Sequence, residues 1–260
     1  MQSFQLYEPA DSFLYRLDPR TKLVTVVVVF GLSILFTDAR FLAPVFAFVV
    51  AVAAVGRVPL RRVAVLLKSL SVLVAIALVM WPLIYRNGDV LFRLWRVEVT
   101  EGGVLYGLGM AFRILCMVIA PIVLFITTPQ PDFVAGLRRL GLPYKASFAL
   151  AMALRFLPTV VGVGQTIVEA QRARGLDPSR GSPARRLRAY ARMLGPLVVT
   201  SIRLAQQAVL AVEARAFSID RKRTFVRQLT MARRDALALA VVGLLGAVLV
   251  ALRIQGHGLL

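Results

Sequence analysis

The sequence predicts an all-α integral membrane protein, with about five transmembrane helices plus long helices on the cytoplasmic side. Three observations predict it. Hydrophobic residues make up 58% of the 260-residue chain and charged residues only 17%. A soluble domain of this length is near half apolar and about a quarter charged. The mean hydropathy is +0.75, and the apolar residues fall in runs that a bilayer would solvate. Finally, 32 Lys and Arg stand against 13 Asp and Glu, a net charge of +19, concentrated in a few stretches between the runs.

Residues 1–22 mix Glu8, Asp11 and Asp18 with Arg16, Arg20 and Lys22. No cleavage site closes the run that follows, so a secretory signal is not expected. Residues 23–36 and 41–55 are uncharged, each short of the ~20 residues of a full span. Only Thr37, Asp38, Ala39 and Arg40 separate them, which predicts a tight helical hairpin. The third run, 69–85, ends in Trp81, Pro82 and Tyr85; Trp and Tyr there suit the membrane–water interface. The fourth, 104–126, contains Arg113, and the last, 236–252, follows Arg233-Arg234-Asp235 and stops at Arg253.

Five spans alternate sides, and loop charge orients them. Residues 56–68 hold Arg57, Arg61, Arg62 and Lys68 without an acid, whereas 37–40 hold one Arg. In 86–103, Arg86, Arg93 and Arg96 are balanced by Asp89, Glu98 and Glu101. Residues 129–234 carry nineteen Lys and Arg and five Asp and Glu, a net +14. All strongly basic stretches share one side if the N-terminus is cytoplasmic. The chain then divides into a four-span membrane domain over 1–128, a cytoplasmic region over 129–234, and the last span and C-terminus over 235–260.

The basic region opens with Thr127-Thr128-Pro129 and a short amphipathic piece that closes at Gly141 and Pro143. Residues 144–175 predict one long helix containing Pro158, ended by Arg174-Gly175 and a Leu-Asp-Pro stop. A second runs from Ala184 to Phe217, with Pro196 as a kink. Residues 156–168 are uncharged, and 193–212 carry only Arg203. Gln206, Gln207, Thr200 and Ser201 dilute the second stretch and arginines flank it. The reading adopted is helices lying at the cytoplasmic interface, partly sunk in it.

Catalytic signatures are absent. There is no Walker-type loop, no HExxH and no Ser/His/Asp set. The one histidine, His257, is near the end, and the one cysteine, Cys116, lies in an apolar run. A His/Cys metal site is therefore not expected, and no internal disulfide can form. Arg113 is the one charge deep in a span. Either it faces the bundle, paired with carbonyls or a loop carboxylate, or it gates or binds a ligand. A membrane-embedded enzyme acting on phospholipid or isoprenoid phosphates would need acidic metal ligands, and the nearest grouping is Asp89, Glu98 and Glu101 on the outer side. Nucleic-acid binding is suggested by charge alone, because the second half of the basic segment has only Tyr190, Phe217 and Phe225 for stacking.

The two long helices share an ending. The first closes with Glu169-Ala-Gln-Arg-Ala-Arg174-Gly175 and the second with Glu213-Ala-Arg215-Ala-Phe217. Each places an Arg between small residues, Ala173 and Gly175 or Ala214 and Ala216. One reading is ordinary helix finishing: Arg complements the dipole and Gly caps. The other is a docking device, in which small neighbours let a partner approach while a guanidinium fork reaches its carboxylates or carbonyls. Spacing alone leaves both open.

From about residue 12 to 250 the chain resembles the T component of energy-coupling factor (ECF) transporters, the EcfT/CbiQ/BioN family. The resemblance rests on Tyr15-Arg-Leu-Asp-Pro-Arg-Thr-Lys22, Thr127-Thr128-Pro129, the Arg-Arg-Leu-Gly-Leu-Pro of 138–143, and the Ala-Arg-Gly and Ala-Arg-Ala endings. It implies a non-enzymatic transmembrane coupling subunit in the prokaryotic plasma membrane. It further implies two cytoplasmic ABC ATPase partners, which hold the ATP and Mg, and a membrane-embedded substrate-binding S component for vitamin or metal-ion uptake. This chain would bind no cofactor and no nucleic acid. Arg174 and Arg215 would enter grooves of the two ATPases, with Ala173, Gly175, Ala214 and Ala216 permitting the fit and Glu169 and Glu213 close by.

Overall fold

A computed structural model describes residues 12–57, 60–85, 89–94, 97–176, 182–215 and 229–255. Its elements are α1 (Pro19–Leu35), α2 (Ala39–Val55), α3 (Leu60–Ile84), β1 (Val90–Leu94), β2 (Val97–Thr100), α4 (Glu101–Thr127), α5 (Gln130–Arg139), α6 (Tyr144–Ala173), α7 (Pro183–Glu213) and α8 (Arg233–Ile254). The helical fold class holds. A short antiparallel hairpin, β1 with β2 and Arg93 opposite Glu98, is the one addition to it among the described residues.

Local chemistry sets the helix starts. The Asp18 carboxylate accepts from the Arg20 N–H at 2.9 Å, with Pro19 at the first helical position of α1. Asp38 does the same for Arg40 at 2.8 Å in α2, and the Thr100 hydroxyl accepts from the Gly103 N–H at 3.2 Å in α4. Each satisfies an orphan N–H of a first turn. α3 begins at Leu60, well before the expected span at 69. Leu, Arg and Lys are good helix formers, so charge over 61–68 does not mark a loop.

The chain forms two units, Gln5–Tyr144 with Leu229–Leu260, and Lys145–Gln228 with Met1–Phe4. In the first, α4 is the central helix, and α1, α2 and α3 pack on it while α8 and α5 pack on α1. Phe36, Leu42, Val45 and Cys116 are fully buried there. Small residues let α4 be central: a Cβ at Gly107 would lie 3.0 Å from Pro82 Cδ and 3.2 Å from the Ala77 carbonyl of α3. At Gly109 the obstacle is the Thr37 carbonyl, so the turn between α1 and α2 rests directly on α4. That turn ends the hairpin early. α1 and α2 have 17 residues each, about 26 Å, while α4 has 27.

α3, α4, α6, α7 and α8 are the helices long and apolar enough to cross a membrane by length and composition, with α2 shorter. α6 and α7 thus meet the measure that the 17-residue α1 narrowly misses. Arg113 has a settled local role: it donates to the Ser33 carbonyl at 2.7 Å and to the Phe36 carbonyl. Both carbonyls lie at the C-terminal end of α1, where the ladder leaves acceptors unfilled and the dipole favours a cation. Of the two expectations for Arg113, pairing with carbonyls is the one observed.

Candidate functional site

The second unit carries the candidate site. α6 runs unbroken through Pro158 for 30 residues, and α7 through Pro196 for 31. They face each other across an open groove of about 620 Å³. Val161, Ile167 and Val168 line one wall, and Leu187, Tyr190, Leu194 and Leu197 the other. At Gly164 a Cβ would meet Leu197 Cδ1 of α7 at 4.0 Å. Much of the apolar surface stays uncovered: Leu187 is 73% exposed and Leu210 66%.

α6 ends in a defined reversal. The Gly175 N–H donates to the Arg172 carbonyl at 2.9 Å and the Leu176 N–H to the Gln171 carbonyl at 2.9 Å. Gly175 has φ +80. This is the Schellman pattern, which calls for a left-handed residue one place past the cap. The cap position itself is Arg174, exposed like Ala173 and Gly175. A Cβ at Gly175 would meet nothing within 4 Å, so local structure needs its torsion and leaves open space around it. α5 closes the same way: Gly141 has φ +115, and the Leu142 N–H reaches the Leu137 carbonyl at 3.1 Å.

α7 ends differently. The Ala214 N–H donates to the Leu210 carbonyl at 3.0 Å, and the Arg215 N–H to the Val212 carbonyl at 3.1 Å. Ala214 is right-handed, at φ −58 and ψ −20. Glu213, Ala214 and Arg215 are exposed; Ala216 lies outside the described residues. Among the described residues neither the Arg174 nor the Arg215 guanidinium has a hydrogen-bond or ion-pair partner. Helix finishing therefore accounts for Gly175 and, among the described residues, gives neither arginine side chain a role.

Electrostatics adds a second feature, the crowding of arginines at the start of α7. Ser182 caps that helix by accepting from the Arg185 N–H at 3.4 Å. Yet Arg185, Arg186, Arg188 and Arg192 are all exposed over its first turns, where the dipole disfavours cations. An anionic partner would reverse that cost. Glu169 lines the α6–α7 groove with Arg172, and Glu213 stands beside Ala214 at the end of α7. As for the acids considered for enzymatic chemistry, Glu101 is engaged with Arg40 at 2.8 Å, and the Glu98 side chain lies outside the described residues.

The other quoted motifs meet in the first unit. Lys22 Nζ donates to the Thr127 carbonyl at 2.9 Å and to Thr128 Oγ1 at 3.3 Å. The Asp235 carboxylate accepts from the Asp18 N–H at 2.7 Å and the Ala232 N–H at 2.8 Å. Asp18, Lys22, Thr127, Thr128 and Asp235 are all buried. The signature at the start of α1 and the Thr-Thr at the end of α4 are thus halves of one polar knot. Sequence reasoning missed Asp235 as its third member; an acid two residues into a helix preceded by Arg-Arg read as loop charge.

The family model described as cobalt transport protein, CbiQ, matches residues 10–226. The chain belongs to the CbiQ family. It is similar to the energy-coupling factor transporter transmembrane protein EcfT of Limosilactobacillus fermentum, 34% identical over 251 residues and 92% of each chain. The proteins of the same name from Bacillus selenitireducens and Bacillus subtilis are 31% and 29% identical, over at least 95% of each chain. As a CbiQ-family chain with several apolar helices of membrane-crossing length, it is a multi-pass membrane protein of the EcfT type.

Proposed function

We propose that this chain is the coupling subunit of an ECF-type ABC transporter, passing ATP-driven motion from two cytoplasmic ATPases to a substrate-binding S component. Vitamin or metal-ion uptake would follow, with ATP and Mg held by the partner subunits, no cofactor in this chain and no hydrolysis of its own. The N-terminus lies in the cytoplasm, and α6 and α7 lie along the cytoplasmic interface as coupling helices. The observation that carries this reading is the pair of exposed arginines, Arg174 and Arg215, at the ends of two 30-residue-scale helices. Each is flanked by small residues, and its guanidinium has no partner among the described residues. A guanidinium in such a setting suits a carboxylate-bearing groove. The uncovered apolar faces of α6 and α7 suit packing against a membrane-embedded partner.

The test is co-purification. The chain is expressed with ABC ATPases from its own genome, solubilised, and purified by a tag on this chain. A stable complex is expected, weakened by Arg174→Glu and by Arg215→Glu and abolished by both. Normal recovery of ATPase with the double variant would overturn the docking assignment.

A further inference from the structure

Away from the long helices, the segment preceding α1 folds across the C-terminal end of α2. Ser12 Oγ donates to the Gly56 carbonyl at 3.0 Å. A Cβ at Gly56 would come within 2.7 Å of Leu14 Cδ2, so Leu14 packs directly on that end. Phe13, between them, is 50% exposed and stands where two cavities meet. The first is a cavity of about 250 Å³ walled by α1, α2, α4 and α8, lined by residues such as Val49, Val52, Ala120, Val123 and Val242. The second shares Phe13 and Val55 with it and is completed by Ser12, Arg16, Arg57 and Arg234. No carboxylate is among its described lining residues. All of these residues belong to one unit.

Three arginines from separate stretches of sequence converge on this mouth. Arg16 precedes α1, Arg234 opens α8, and Arg57 follows α2 with φ +47, the one non-glycine positive φ among the described residues. That is the left-handed position one place past the α2 cap, with the Arg57 N–H donating to the Ala54 carbonyl at 3.0 Å. The mouth is cationic, and the adjoining cavity is almost wholly apolar.

We propose that the two cavities together bind one anionic phospholipid. Its phosphate lies among Arg16, Arg57 and Arg234, and part of one acyl chain enters the apolar cavity. Guanidinium forks match phosphate oxygens, and basic pockets at the ends of membrane helices take anionic headgroups. A zwitterionic headgroup would bring its own ammonium against Arg57 and Arg234, which selects against it. Inorganic phosphate leaves the apolar cavity unused. Lys22 and Thr127 line the same cavity, so the lipid chain would rest against the knot that ties α1 to α4.

The probe is dioleoylphosphatidylglycerol titrated into the detergent-purified full chain and followed by native mass spectrometry, with dioleoylphosphatidylcholine in parallel. One tight phosphatidylglycerol adduct is expected, with phosphatidylcholine clearly weaker. Replacing Arg16, Arg57 and Arg234 together by Gln should weaken phosphatidylglycerol on the order of a hundredfold. Single Arg57→Gln and Arg234→Gln variants, at exposed positions, should each cost roughly fivefold, so the test does not depend on the triple variant folding. Ala51→Phe, at an exposed position lining the apolar cavity, should weaken the lipid with all arginines intact. Equal binding of the two lipids, or wild-type phosphatidylglycerol binding by the triple variant, would overturn the proposal. So would displacement of the lipid by inorganic phosphate with Ala51→Phe silent, which would mean an anion site alone.

Discussion

The Lys22 ammonium donates to the carbonyl of Thr127 at 2.9 Å, joining the start of α1 to the last residue of α4. That carbonyl is one that the α4 ladder leaves unfilled, and a cation there complements the dipole. The charges of Asp132, Asp235 and Asp18 also act on the ammonium. One lysine thus sits among three carboxylates, those of Asp18 capping α1, Asp132 on α5 and Asp235 on α8, and Asp18 also pairs with Arg20 at 3.8 Å.

Lys22→Met removes the cation from among those carboxylates and the donor to the Thr127 carbonyl. Breaking one side of a buried charge cluster costs about 3–5 kcal/mol, so the variant should be recovered poorly and melt well below the wild type in detergent. Asp235→Ala should act in the same direction, because the Asp18 and Ala232 N–H groups both lose their acceptor. Wild-type melting of both variants would mean the knot is ornamental.

Gly109 should tolerate no side chain. Its missing Cβ is the space in which the Thr37 carbonyl sits, with the Ala39 nitrogen 3.1 Å from the same point. Both are backbone atoms, so a methyl there must move the whole α1–α2 turn. Gly109→Ala is expected to cost about 1–3 kcal/mol or more, as overpacking does. Gly246→Ala, whose Cβ would meet Val28 Cγ1 at 3.7 Å, should be nearly silent. Paired thermal melts decide the matter; equal midpoints for the two variants would refute the close approach.

Arg113→Met sets two effects against each other. A charge at mid-span costs about 2.5–3.5 kcal/mol on insertion scales, so the variant should insert at least as well as the wild type. Once inserted, the Ser33 and Phe36 carbonyls lose their donor, at about 1–3 kcal/mol each. Insertion undiminished and a lower melting midpoint is the expected combination. An unchanged midpoint would show that other groups satisfy α1.

What the sequence could and could not disclose follows from the range of the forces involved. The stops at Gly141 and Gly175 were legible because a left-handed cap is written in adjacent residues. The spans at α3, α4 and α8 were legible because hydropathy adds along the chain. Asp235 was not, since its meaning depends on Asp18, 217 residues away. The Gly103–Gly107 spacing on α4 gave no sign of Pro82, its neighbour on α3. Nor did the matching Ala-Arg endings disclose that α6 reverses through a glycine while α7 tightens without one.

That difference between the endings separates the two explanations for the small residues beside Arg174. If Gly175 serves only the backbone, its φ of +80 is the whole requirement. Gly175→Ala then costs about 1–2 kcal/mol for a left-handed alanine and frays the turn that positions Arg174. Gly175→Asn, which tolerates that region better, should restore most of the association with the proposed ATPase partners. If instead a partner's backbone closes over the open space around Gly175, Asn should be worse than Ala, being larger. Ala214→Gly on α7 is the control: Ala214 is already right-handed, so glycine there adds only about 0.5–1 kcal/mol of backbone entropy. We expect titrated pull-downs to rank association as wild type, Ala214→Gly, Gly175→Asn, then Gly175→Ala. The reverse order of the two Gly175 variants would establish close approach by the partner as the reason for glycine.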